Sequence, residues 1–140
     1  MERTKLEEVT TLLVGTGMGR EKADLVVKGG TLVNVNSREL LENMDIAVKK
    51  DRIVIVGKAD HTVGKNTVVI DAKGKYVVPG FLDGHVHVES SMLTLTQFAR
   101  AILPRGTTTV FIDPHEIANV LGLNGARLMI DEAKLLPLKV

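Results

Sequence analysis

The chain has 140 residues, with 18 Lys+Arg against 17 Asp+Glu, a formal net charge of +1, 44% hydrophobic and 25% charged residues, and no cysteine. This is the composition of a globular chain, long enough to bury about two-thirds of the surface it exposes when unfolded. Balanced charge argues against general nucleic-acid or membrane-surface binding, and the lack of cysteine excludes a disulfide framework, a thiolate zinc site and a cysteine nucleophile.

Residues 1–22 read as a leading helix and a Gly-rich linker. Thr4 and Glu7 have capping-box spacing, and Leu6, Val9, Leu12 and Leu13 share a helical face. There is no signal-peptide core, and no apolar run approaches the ~20 residues of a membrane helix. A cytoplasmic protein is therefore expected. Gly15, Gly17 and Gly19 end the helix; their G-x-G-x-G spacing, followed by Arg20 and preceded by a helix, does not fit a dinucleotide-binding turn.

Residues 23–78 are rich in Val and Ile. Short strands are expected at 25–28, 31–35, 45–49, 52–56, 67–71 and 76–78, with turns at Gly29-Gly30, Lys50-Asp51 and Lys73-Gly74. Short, evenly spaced strands of this kind suggest part of a small antiparallel β-sandwich. His61 falls in a polar turn and is expected to be exposed.

From Pro79-Gly80 the pattern becomes strand (81–88), helix (94–103), strand (107–112), helix opened by Asp113-Pro114, a further helix capped by Asn124, and the start of a strand at 138–140. This alternation is the grammar of a parallel sheet. The helix at 94–103 has Thr94 and Gln97 as a capping box and Pro104-Arg105-Gly106 as its stop.

One segment is dense in potential ligands: Asp83-Gly84-His85-Val86-His87-Val88-Glu89-Ser90-Ser91. On a strand, residues two apart point the same way with Cα atoms about 6.6 Å apart, so His85 and His87 converge and can share a divalent metal. Glu89 continues that parity if the strand persists. Gly84 is expected where something approaches the backbone closely. The plain alternative is a solvated histidine pair at a strand end. In Asp113-Pro114-His115-Glu116, capping alone explains Asp113 and Glu116 but not His115. His115-Glu116-Ile117-Ala118-Asn119 departs from the zinc-protease pattern H-E-x-x-H at Asn119.

Pro79-Gly80-Phe81-Leu82-Asp83-Gly84-His85-Val86-His87 resembles the opening metal motif of the amidohydrolase superfamily. Glu89-Ser90-Ser91-Met92-Leu93-Thr94, Phe98-Ala99-Arg100, Gly106-Thr107-Thr108-Thr109 and the run from Asp113 to Gly122 resemble the adenine deaminases of bacteria and archaea. The likeness extends upstream to the leading helix, to Ala23-Asp24-Leu25-Val26-Val27-Lys28-Gly29-Gly30 and to Asp45-Ile46-Ala47-Val48. It implies an α/β fold: the amino-terminal part of a (β/α)8 barrel at 79–140, preceded by part of a composite β-sandwich at 23–78. At 140 residues the chain is too short for a whole barrel of about 250.

The resemblance implies a metal-dependent hydrolase acting on adenine in purine salvage. His85 and His87 match the family's first-strand metal ligands, and Glu89, Ser91, Asp113 and His115 are substrate or supporting candidates by location. The metal expected is manganese or iron, with zinc possible. The remaining ligands and the proton-transferring carboxylate are expected beyond Val140. A homo-oligomer is expected of the full-length protein, and the 140-residue chain alone is expected to be inactive. Two alternatives are an amidohydrolase acting on a cyclic amide or another base, and a non-catalytic truncated module.

Overall fold

The structure, a computed structural model, describes residues 4–140; residues 1–3 of the expected leading segment lie outside the described residues. The chain forms two compact units, one ending at Pro79 and one beginning at Gly80. No helix among the described residues is long and apolar enough to cross a membrane.

In the first unit, α1 (Leu6–Gly17) packs against β3 (Arg52–Gly57) and buries Val9 completely. The expected Thr4 cap does not form. Lys5 is the N-cap, while the Thr4 N–H donates to Asp51 Oδ2 at 3.2 Å and the Thr4 carbonyl accepts from Arg52 at 2.7 Å. Contacts from β3 and the turn before it thus claim the residue that local spacing assigned to capping.

The unit holds one five-stranded sheet, built from β1 (Leu25–Asn34), β2 (Glu39–Lys49), β3, β4 (Val68–Asp71) and β5 (Tyr76–Val77). The order is β3-β2-β1-β4, and β5 also pairs with β1. β1–β2 and β2–β3 are antiparallel, but β4 and β5 run parallel to β1. The expected all-antiparallel arrangement is therefore corrected. The tight Lys50-Asp51 turn can only reverse the chain, whereas the longer connection over residues 58–67 lets it cross over and return in the same direction. Alternation along a strand says nothing about which of these happens.

The expected Gly29-Gly30 turn is instead a bulge inside the long β1. Gly29 has φ +71°, and the β1–β2 register shifts on both sides of Gly30. Asp45, buried on β2, holds the bulge: its Oδ1 accepts from Gly29 N at 2.9 Å and its Oδ2 from Ala59 N at 3.1 Å. The small core gathers Ala23, Val26, Ala47 and Ala59, with Ile55 and Val63 against it.

The second unit follows the expected alternation. Its elements are β6 (Phe81–Val86), α2 (Leu95–Ile102), β7 (Thr107–Ile112), α3 (His115–Leu121) and α4 (Leu123–Ala133). β6 and β7 are parallel, and Lys139 returns alongside Thr109 in a parallel bridge. The core between sheet and helices is Val88, Leu95, Ala99, Val110, Met129 and Leu138. Gly80 makes the entry into β6 possible, because a Cβ there would stand 2.1 Å from Thr108 Oγ1.

α2 is capped twice. Thr94 Oγ1 accepts from Gln97 N at 3.4 Å, as its spacing predicts. Glu132, from α4, also accepts from Thr96 N at 2.8 Å and Leu95 N at 3.2 Å. Three elements differ from expectation. α4 starts at Leu123 with Gly122 at its N-cap, so Asn124 lies inside its first turn and does not cap it. β6 stops at Val86, two residues early, and the chain turns through a 3-10 segment at Glu89–Ser91. α3 begins at His115 after a Pro114 N-cap that offers no side-chain acceptor, so Asp113 is not its cap.

Burial pushes the Glu132 carboxyl up, but hydrogen bonds from Thr96, Leu95 and Thr94 outweigh it and hold the group below the ordinary glutamate value. A depressed native value means that the stabilisation is complete above the unfolded value of about 4.3 and is lost as pH falls through the lower native value. Glu132→Ala is expected to cost about 1 kcal/mol in urea unfolding at neutral pH, with the cost shrinking at acid pH; a cost independent of pH would contradict a cap made by the carboxylate. The β6 edge away from β7 pairs with no strand among the described residues, and Phe81 and Leu82 are 56% and 66% exposed. Sedimentation of this chain is therefore expected to show concentration-dependent association, and a monodisperse monomer would contradict that expectation.

Candidate metal-binding site

Parallel pairing brings the carboxyl ends of β6 and β7 together, and Asp113 N donates to the Val86 carbonyl at 3.2 Å just past the ladder. Three histidines collect at this end. His85 lies within β6 and His87 one residue beyond it. Their rings meet edge to face, with centroids 4.7 Å apart and planes at 87°. The two Nε2 atoms lie 3.0 Å apart. His115, at the start of α3, lies edge to face with His87 at 4.8 Å and 90°.

Hydrogen bonding determines which nitrogen of His87 is free. Its Nδ1 lies 3.0 Å from the Asp113 carbonyl oxygen, which can only accept. Nδ1 therefore carries the proton, and Nε2 of the neutral ring keeps its lone pair toward His85. The Asp113 side chain turns elsewhere, with Oδ2 3.2 Å from His115 Nδ1. Asp113 thus serves the cluster twice, its carbonyl orienting one histidine and its carboxylate pairing with another.

Two overlapping groups bring ligand atoms within 4.8 Å of one another: His85, His87 and Asp113, and His87, His115 and Glu116. His87 is common to both and half-buried, while His85, Asp113 and His115 are exposed.

The other sequence candidates have different surroundings. Glu89 does not extend the His85–His87 parity, because the strand has ended; its Oε1 accepts from Ile117 N at 3.3 Å, in the first turn of α3. The Ser91 hydroxyl donates to the Val88 carbonyl at 2.6 Å, within its own turn. Its neighbour Ser90 makes the cross-segment contact instead, donating to Glu116 Oε1 at 2.6 Å. Sequence reasoning passed over Ser90 because no local periodicity links it to a residue 26 positions away. A Cβ at Gly84 would meet nothing within 4 Å, so the close approach expected there is not made by the described residues. His61 is exposed, as expected, with its Nε2 3.0 Å from the Gly17 carbonyl at the end of α1.

The profile of the amidohydrolase family matches residues 76–140. The chain is 59% identical over 138 residues to an adenine deaminase of Moorella thermoacetica, covering 99% of this chain and 23% of that one. It is 54% identical over 134 residues to an adenine deaminase of Clostridium botulinum, covering 96% and 22%. The chain thus spans 22–23% of the length of these curated relatives.

Among solved structures, an N-acyl-D-glutamate deacylase of Bordetella bronchiseptica complexed with zinc and a phosphonate inhibitor aligns at TM-score 0.52 and 28% identity, covering 65% of this chain and 18% of that one. A D-aminoacylase described by its binuclear metal centre aligns at TM-score 0.52 and 31% identity, covering 63% and 18%. Residues 76–140 carry amidohydrolase-family sequence, and the chain as a whole is similar to roughly a fifth of an adenine deaminase.

Proposed function

We propose that this chain supplies two metal ligands, His85 and His87, to an adenine deaminase-like hydrolase, and that the whole protein converts adenine and water to hypoxanthine and ammonia in purine salvage. The observation that carries the reading is the convergence of two Nε2 atoms at 3.0 Å, one of them in a tautomer fixed by a backbone carbonyl. In this reading residues 79–140 begin a (β/α)8 barrel and residues 23–78 contribute to a small β-domain. The protein is cytoplasmic and homo-oligomeric.

The residues present fit a divalent cation. Two nitrogens each about 2.0–2.1 Å from one ion are at most about 4.2 Å apart, and the observed 3.0 Å lies well inside that reach. A histidine that donates its other N–H to a carbonyl is the usual arrangement behind a metal ligand. Imidazole and carboxylate donors suit iron, zinc and manganese; manganese or iron is the expected ion, and zinc is compatible. When bound, such an ion supplies Lewis-acid activation of water near neutral pH.

The chain's own residues then have separate tasks. His85 and His87 would hold the ion through imidazole nitrogens. The Asp113 carbonyl keeps His87 oriented. Asp113 and His115 stand at the same end of the sheet, where they can contact the purine. Two histidines are half of a minimal four-ligand site, and the carboxylate that moves the proton to the departing amine comes from outside these 140 residues.

The alternative of another amidohydrolase is weaker. The adenine deaminases match at 54–59% identity, against 28–31% for the deacylase and aminoacylase structures.

The 140-residue chain is expected to produce no hypoxanthine from adenine above background, while a gene product continuing in frame past Val140 to its relatives' length produces it. Robust turnover by the short chain would overturn the half-site reading; a full-length product that deaminates other bases but not adenine would overturn the substrate. In that longer protein, His85→Ala and His87→Ala are each expected to lower bound metal at least tenfold, by elemental analysis. Unchanged metal content would remove both as ligands.

A further inference from the structure

α3 begins without a cap of its own, since Pro114 has no side-chain acceptor to offer. The first turn of any helix leaves its N–H groups unpaired, and Ile117 N is one of them. Glu89 reaches it from the 3-10 segment after β6, with Oε1 3.3 Å away. Beside it, Ser90 donates to Glu116 Oε1 at 2.6 Å. Two adjacent residues after the His-x-His strand therefore hold two adjacent residues of α3. The other Glu89 oxygen is buried and has no hydrogen-bond partner among the described residues. A buried carboxylate oxygen is costly to leave unpaired, so the Glu89 side chain is held where the cap requires it at some expense.

The consequence lies at the residue that leads into α3. Asp113 accepts the His87 Nδ1 proton through its backbone carbonyl, so the position of that carbonyl depends on where α3 begins. We infer that Glu89 is a positioning residue: by capping α3 across the loop it keeps the Asp113 carbonyl on His87, and so keeps His87 in the tautomer whose Nε2 is free to bind a cation. Glu89 is neither a ligand nor a proton donor in this account. The inference rests on the metal-binding reading for its purpose, though the tautomer it predicts is a property of the metal-free chain.

Reach and charge can be separated at this position. Glu89→Gln keeps an acceptor oxygen at the same distance and loses the charge. Glu89→Asp keeps the charge and falls one methylene short. Glu89→Ala loses both. Long-range 1H–15N spectra of the metal-free chain, at a pH well above the histidine range of about 6.5, read the His87 tautomer, and calorimetric titration with Zn2+ reads affinity.

The wild-type chain and Glu89→Gln are expected to show His87 protonated at Nδ1. Glu89→Asp and Glu89→Ala should show a mixture of tautomers and bind Zn2+ about tenfold more weakly. If Glu89→Ala does not fold, the Gln and Asp variants decide the matter between them. A wild-type tautomer in both Asp and Ala variants would overturn the inference. So would the reverse order, with Asp like wild type and Gln like Ala, because that would make the charge and not the reach decisive. Because two histidines are half of a four-ligand site, a wild-type chain that binds no Zn2+ leaves the tautomer comparison to decide the role of Glu89.

Discussion

The parallel pairing of β6 with β7 is the constraint on which the histidine cluster depends. In a parallel pair both strands end at the same side, so whatever follows one faces whatever follows the other. Here that brings together Val86-His87 and Ile112-Asp113, joined by the bond from Asp113 N to the Val86 carbonyl. Had the strands paired antiparallel, His85 and His87 would still have shared a face, but Asp113 and His115 would lie at the far end of the sheet. The pairing is enforced from beneath by Val110, Val88, Leu95 and Ala99, which bury the crossover helix against the strands.

Upon that constraint a second level is built from hydrogen bonds between segments distant in sequence. His87 to the Asp113 carbonyl, Ser90 to Glu116 and Glu89 to Ile117 N all connect the end of β6 with the start of α3. Each is modest singly, since a protein hydrogen bond contributes about 1 kcal/mol net. Their joint effect is orientational: a flexible histidine at a strand end acquires one ring pose and one tautomer. Glu132, from α4, likewise caps α2, so α2 and α3 each receive a carboxylate from another segment.

Much of the second unit was legible in the sequence because its cues are local. The Thr94 cap, the Gly106 stop and the β-branched run at Thr107 to Ile112 each need only a few neighbours to act. The first unit was less legible. Gly29-Gly30 carries the same residues whether it turns a hairpin or bulges a strand, and the buried Asp45 carboxylate decides between them. Likewise Thr4 and Asp113 have good capping chemistry, but Asp51 and Arg52 engage the first and His115 the second. At those two positions other contacts replace the cap, whereas Thr94 keeps its cap beside the more distant Glu132.

The sequence by itself determined the strand–helix alternation after Pro79 and the convergence of His85 with His87, because the two-residue period of a strand settles which side chains share a face. Family likeness in the motif residues added the expectation of a metal-dependent hydrolase. Only the tertiary structure decided that Glu89 caps a helix and leaves the histidine face, that Ser90 and not Ser91 reaches across, and that β4 runs parallel to β1. Those outcomes depend on where a strand stops and how a connection crosses over, which are set by contacts between residues far apart in the chain.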